Sequence, residues 1–107
     1  MVEVLIDLHG MVGVVTGVGK GIGKEIILTL AREGVKTVGI DVFPDDLDQL
    51  AEEFKEQGLE GLFFDCDVTD STRISEVIRE TMQKYGRIDL LVNNAGVAGN
   101  GEVETLA

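Results

Sequence analysis

The 107-residue chain has one cysteine, one histidine, one proline and one tyrosine, and its 9 basic residues face 20 acidic ones. Each shortage removes a class of protein. A lone cysteine, Cys66, allows no internal disulfide and fits a reducing compartment, so a cytoplasmic location is expected. One cysteine and one histidine cannot build a thiolate–imidazole zinc site, and no metal is expected. His9 has no acid or nucleophile beside it in a recognisable motif and reads as a surface or turn residue. A formal net charge of −11 repels phosphate backbones and acidic lipid, which speaks against nucleic acid and membrane surfaces as partners. No apolar run approaches the ~20 residues of a membrane span. The opening MVEVLIDLHG carries acids where a signal peptide carries lysines, so export is not expected. A single proline with 44% apolar residues describes a folded globule. One domain of this length buries roughly two thirds of its unfolded surface.

What the chain does have is glycine, and the stretch VVTGVGKGIGKEI places four of them in the seven positions from Gly17 to Gly23. An acidic chain can still hold a phosphate if backbone N–H groups make the site. Gly17 permits a sharp exit from a strand, Gly21 lets an anion approach the backbone, and Gly23 allows close packing. A helix beginning here offers free N–H groups and about half a positive charge to a pyrophosphate. The plainer account of the same glycines is a tight turn.

Periodicity supplies the context. MVGVVT (11–16) reads as a buried strand, and Ile22, Ile26, Ile27, Leu30 and Ala31 then share one helical face that stops at Gly34. TVGID (37–41) is a second strand. Leu47, Leu50, Ala51 and Phe54 mark a helix opened by Pro44-Asp45-Asp46 and closed at Gly58. A third strand lies around 62–65. Ile74, Val77, Ile78, Thr81 and Tyr85 form the next helical face, with Asp70 or Ser71 as N-cap and Gly86 past its end. IDLLVN (88–93) is the fourth strand. From Gly96 onward the pattern fades into a loop with the start of a helix, and Val2, Val4 and Ile6 alternate loosely enough for a short extra strand. The order β-α-β-α-β-α-β with apolar strands predicts an α/β fold, a doubly wound parallel sheet of the Rossmann type with about four core strands. The chain is expected to be one domain over residues 1–107.

Asp41 closes the second strand, where a carboxylate would accept from the 2′- and 3′-hydroxyls of an adenosine ribose. A solvated or helix-capping Asp beside Asp45 and Asp46 is the plainer alternative.

Taken together, TGVGKGIG, Asp41, DCDVTD and LLVNNAG resemble the N-terminal half of the short-chain dehydrogenase/reductase family, in its order and spacing. The resemblance implies a dinucleotide site built from Thr16, Gly17, Lys20, Gly21, Ile22 and Gly23, with Asp41 and Val42 at the adenosine ribose. It implies that Asp67 bonds the adenine amino group and Val68 borders the ring. Asn94, Ala95 and Gly96 would lie along the ribose at the end of the fourth strand, while Asn93 ties the sheet. In this family a basic residue at the Lys20 position can favour a 2′-phosphate. Asp41 opposes that phosphate and no arginine follows it, only Val42 and Phe43, so NAD is expected over NADP.

The family's chemistry also needs a tyrosine with a lysine four positions on, because a phenol of pKa near 10 exchanges protons poorly at neutral pH without a cation beside it. The lone Tyr85 is followed four positions later by Asp89, so no catalytic residue is assigned and Tyr85 is expected in the core. Relative to the family the chain reads as truncated. Three functions stay open: a dinucleotide-binding half-domain without catalysis of its own, an NAD(P)-dependent oxidoreductase completed by a missing C-terminal half, or a structural protein that no longer uses nucleotide. An unpaired fourth strand would leave an apolar edge, from which a homodimer through that edge is expected.

Overall fold

A computed structural model describes residues 8–94 and the backbone of residues 104–106. The elements run β1 (Val12–Thr16), α1 (Gly21–Arg32), β2 (Lys36–Asp41), α2 (Pro44–Glu56), β3 (Gly61–Asp65), α3 (Ser71–Tyr85), β4 (Leu90–Asn93) and β5 (Glu104–Leu106). The sheet order is β3-β2-β1-β4-β5. The first four strands are parallel, so Thr16, Asp41, Asp65 and Asn93 end at the same edge of the sheet. The α/β Rossmann-like architecture expected from the periodicity is the one observed.

All five residues of β1 are buried, as a central strand covered on both faces requires. Alternation sends Val15 to one side and Val14 to the other. On the first side Val15 and Val92 pack with Ile27, Leu28 and Ala31 of α1 and Leu47, Leu50 and Phe54 of α2. Phe54 also meets Phe63 edge-on at 5.0 Å. On the second side Val14, Val38 and Ile40 meet Val77 of α3, with Ile74 and Tyr85 packed against them. Burying Phe54 to 2% exposure removes a large ring from water, worth about 2–3 kcal/mol. The caps match the sequence: Pro44 opens α2, Asp70 accepts from the Arg73 N–H at 3.1 Å, and Gly86 ends α3 in the left-handed conformation.

Two expectations at the chain's end change. The fourth strand begins at Leu90 rather than Ile88, because Asp89 replaces part of the ladder with its side chain. Its Oδ2 accepts from Val12 N–H at 2.8 Å while its own N–H donates to the Val12 carbonyl at 2.8 Å. The segment expected as loop and helix contributes β5 instead, antiparallel to β4 with Leu91 opposite Leu106 and Asn93 opposite Glu104. β4 is therefore not an open edge, and a homodimer through it would have to displace β5. The suggested strand through Val2, Val4 and Ile6 lies outside the described residues. His9 is exposed in a turn, as expected. Among the described residues no helix is long and apolar enough to cross a membrane.

Candidate dinucleotide site

The strand order reverses direction between β1 and β4, and ligands of open α/β sheets bind in the crevice beyond the strand ends at such a point. The β1–α1 loop occupies it. Gly17 and Gly21 have φ of +70° and +61°, the left-handed region where a side chain is costly. Gly17 N–H donates to the Ile40 carbonyl at 2.7 Å, which fixes the loop to β2. Gly23 is demanded by space. A Cβ there would sit on the Gly17 carbonyl oxygen and 2.6 Å from the Asn94 side-chain nitrogen. The crowding is against the loop itself and Asn94 just past β4, where the sequence suggested only helix–strand packing.

Thr16 and Asn94 lock this corner. The Thr16 hydroxyl donates to Asn93 Oδ1 at 3.1 Å and accepts from Asn94 N–H at 2.9 Å. Asn94 Nδ2 donates to the Gly17 carbonyl at 3.1 Å. The ends of β1 and β4 and the glycine loop thus form one hydrogen-bonded unit. Ala95 and Gly96, expected beside Asn94, lie outside the described residues.

α1 starts at Lys20, which is extended and makes no side-chain cap, and its first turn contains no acid. The leading N–H groups of a helix have no partner inside it, so they remain donors for an anion. Ile22 follows in the first turn, 53% exposed.

Asp41 stands at the end of β2. Its Oδ2 accepts from Phe43 N–H at 3.1 Å and its Oδ1 takes a long bond from Gly19 N–H at 3.4 Å. The carboxylate is oriented by two backbone donors and keeps lone pairs free. Val42 and Phe43 beside it are exposed.

Asp67 and Val68 follow β3. Asp67 Oδ1 accepts from the Thr69 N–H at 2.9 Å and the Thr69 hydroxyl at 2.7 Å, and these two bonds hold its carboxyl below the ordinary carboxylate range. Val68 shares a mostly apolar cavity of about 280 Å³ with Thr16, Ile40 and Asn93. That cavity brings Val68 to the β1–β4 corner, whereas no described hydrogen bond ties Asp67 to the other site residues.

Tyr85 packs against the α3-side core. Burial first, then the Glu60 carboxylate, pushes its phenol up to about 12. Lys36 and Lys84 lie over its ring, 5.7 and 5.6 Å from the centroid. A phenol so placed stays protonated at neutral pH. Among the described residues no group of three or more His, Cys, Asp or Glu could hold a metal ion.

Sequence reasoning missed Gly19 and Asp46. A Cβ on Gly19 would lie 2.7 Å from Asp41 Oδ2 and 2.8 Å from the Asp46 Cβ. The available signal was the fourth glycine of the loop, which the T-G-x-x-x-G-x-G pattern does not require.

Four parallel strands with a glycine loop at the switch point, an uncapped helix start and an acid ending β2 define an α/β protein of the Rossmann type. The family model for short chain dehydrogenases matches residues 11–107, and the chain belongs to that family. It is 44% identical over 92 residues to the 3-oxoacyl-(acyl-carrier-protein) reductase FabG of Thermotoga maritima, covering 84% of this chain and 37% of that protein. The crystal structure of a hydroxysteroid dehydrogenase from Escherichia coli superposes with a TM-score of 0.77 at 34% identity, over 81% of this chain and 37% of the other. A 7α-hydroxysteroid dehydrogenase complexed with NADH and 7-oxo glycochenodeoxycholic acid gives a TM-score of 0.74 at 32% identity, over 78% and 33%. The chain thus spans about a third of the length of these relatives.

Proposed function

We propose that this chain binds a nicotinamide adenine dinucleotide across the carboxyl ends of β1, β2 and β4, with NAD preferred to NADP. The observation that carries the proposal is the uncapped, acid-free start of α1 above a glycine floor. The residues fit the group. Free N–H groups of α1 would receive the pyrophosphate, whose approach the bare Gly21 leaves open. Asp41, held by two N–H groups, would accept from the ribose hydroxyls. Val68 and Asp67 would border the adenine, Asn94 with Ala95 and Gly96 would line its ribose, and Ile22 would flank the nicotinamide side. A related structure carries NADH, which supports the same ligand class here.

When bound, the nicotinamide supplies a hydride donor or acceptor. The 107-residue chain brings no tyrosine–lysine pair to use it, and Tyr85 with a phenol at about 12 is no substitute. Binding without hydride transfer is therefore the function proposed for the chain alone. A second reading, an oxidoreductase completed by further chain, is favoured by the length ratio to the relatives. A cytoplasmic location is proposed with both readings, since the lone buried Cys66 fits a reducing compartment.

Titration of the purified chain with NADH, followed by calorimetry, tests the proposal. Binding is expected to be weak, at high micromolar to millimolar concentration, and Asp41→Ala should reduce it more for NADH than for NADPH. No heat at millimolar NADH overturns dinucleotide binding, and equal losses for both forms return Asp41 to a structural role.

A further inference from the structure

Three charged side chains meet around Gly19, and only one of them is positive. Lys20 Nζ lies 3.9 Å from Asp46 Oδ2, and the point where a Gly19 side chain would begin is in contact with both Asp41 and Asp46. We propose that Asp46 is a specificity-determining residue: by holding Lys20 it denies a 2′-phosphorylated dinucleotide the cation that its phosphate needs. The proposal rests on the dinucleotide reading above and adds a residue that the glycine pattern does not contain.

The two partners are unequal. Asp46 is the third residue of α2, in a first turn where helix N–H groups favour a carboxylate. Its side chain is 17% exposed, against 83% for Lys20. Asp46 is therefore the fixed member and Lys20 the one that swings to it. Lys20, Phe43, Pro44, Asp45 and Asp46 line an open pocket of about 490 Å³ beside the Asp41 turn, and among the described residues Lys20 is the one cation lining it. A 2′-phosphate brings nearly two negative charges into this neighbourhood. It must take Lys20 from Asp46 and accept the Asp41 carboxylate as a neighbour. A ribose diol needs none of this, because it donates to Asp41 and asks nothing of Lys20. Gly19 makes the arrangement possible, since any side chain there would push the two carboxylates away.

The exposed geometry sets the size of the effect. An ion pair of this kind is weak, so releasing Lys20 is worth about three- to fivefold in affinity. The full chain would be titrated by calorimetry with NADH, NADPH, 5′-AMP and adenosine 2′,5′-bisphosphate, in wild-type form and as Asp46→Asn, Lys20→Ala and the double variant. Asp46→Asn keeps side-chain volume, and thermal melts would check that each variant is folded. The expected result is a gain of about three- to fivefold for NADPH and the bisphosphate in Asp46→Asn. NADH and 5′-AMP should change by less than about twofold, and the gain should vanish in the Lys20→Ala background. An equal change for both ligand classes overturns the proposal. So does a gain that survives Lys20→Ala, which would make Asp46 a direct repeller instead. Failure of the wild-type chain to bind NADH overturns the dinucleotide reading and this proposal with it. NADH binding with an unchanged NADPH-to-NADH ratio in Asp46→Asn overturns the proposal alone.

Discussion

α3 begins under Asp70, whose carboxylate accepts from the Arg73 N–H, whereas α1 begins at Lys20, whose side chain caps nothing. Both helices leave a parallel strand at the same edge of one sheet. The chain has 20 acidic residues to spend on such positions. α2 carries two of them in its first turn and α3 has its capping aspartate, yet the first turn of α1 has none. A side-chain cap is worth about 1 kcal/mol. Leaving α1 without one forgoes that stability at the place where glycines clear the approach. The contrast separates a helix start that a side chain of the chain finishes from one that it leaves open, as the proposed ligand site requires.

The hardest blow to the open start is Gly23→Ala. The new Cβ would collide with the Gly17 carbonyl and the Asn94 amide, which together join the loop to β4. The Gly17 carbonyl is backbone and cannot swing aside as a side chain could, so the loop must move. We expect a loss of about 3 kcal/mol, at the upper end of ordinary overpacking, by urea denaturation. NADH binding should fall more than about tenfold, since the N–H groups lose their alignment. A variant as stable as wild type would mean that the loop is more yielding than its hydrogen bonds imply.

Exchanging the treatment of the two starts sharpens the comparison directly. Lys20→Asp gives α1 the cap that α3 has, and the extended backbone at Lys20 already suits an N-cap. Stability should rise by about 0.5–1 kcal/mol while NADH affinity falls more than about tenfold, because the new carboxylate occupies the donors and repels the pyrophosphate. Asp70→Ala is the mirror experiment. It should cost about 1 kcal/mol and leave NADH affinity within about twofold. Thermal melts and calorimetric titrations read both. If Lys20→Asp binds NADH as well as wild type, the uncapped start has no ligand role.

Much of this contrast was legible in the sequence because its signals are local. Asp70 precedes a 3.6-residue apolar pattern, Gly34, Gly58 and Gly86 stand where helices stop, and Gly17, Gly21 and Gly23 sit between a strand and a helix. What the sequence hid depends on distant partners. Asp89 looked like part of the fourth strand, but its side chain bonds Val12, 77 positions away. β5 is only three residues long, and its pairing is set by the edge of β4 rather than by a pattern of its own. The homodimer expected through that edge took β4 to be unpaired, and β5 pairs with it. Nothing local says which acid of Pro44-Asp45-Asp46 faces Lys20, because the choice is made by how α2 packs beside the glycine loop.

Asp67 gives the smallest expected effect and decides how far the ligand extends toward α3. Its carboxyl is held below its ordinary value of 3.8, first by the Thr69 N–H and then by the Thr69 hydroxyl. The ionised form is thus favoured by folding. Its contribution to stability is complete above pH 3.8 and is lost as pH falls through the lower folded value. Thr69→Ala removes the hydroxyl and keeps the larger backbone bond, so the carboxyl should move only part of the way back. Carboxyl carbon shifts followed by NMR would show this in the free chain. Asp67 spends Oδ1 on Thr69 and is exposed, which leaves Oδ2 for an adenine amino group. Saturation with NAD, which tolerates acid better than NADH, should therefore lower the Asp67 titration further, and affinity should weaken as the carboxyl protonates. An Asp67 titration unmoved by NAD would confine the ligand to the β1, β2 and β4 ends and make the whole approach to α3 structural.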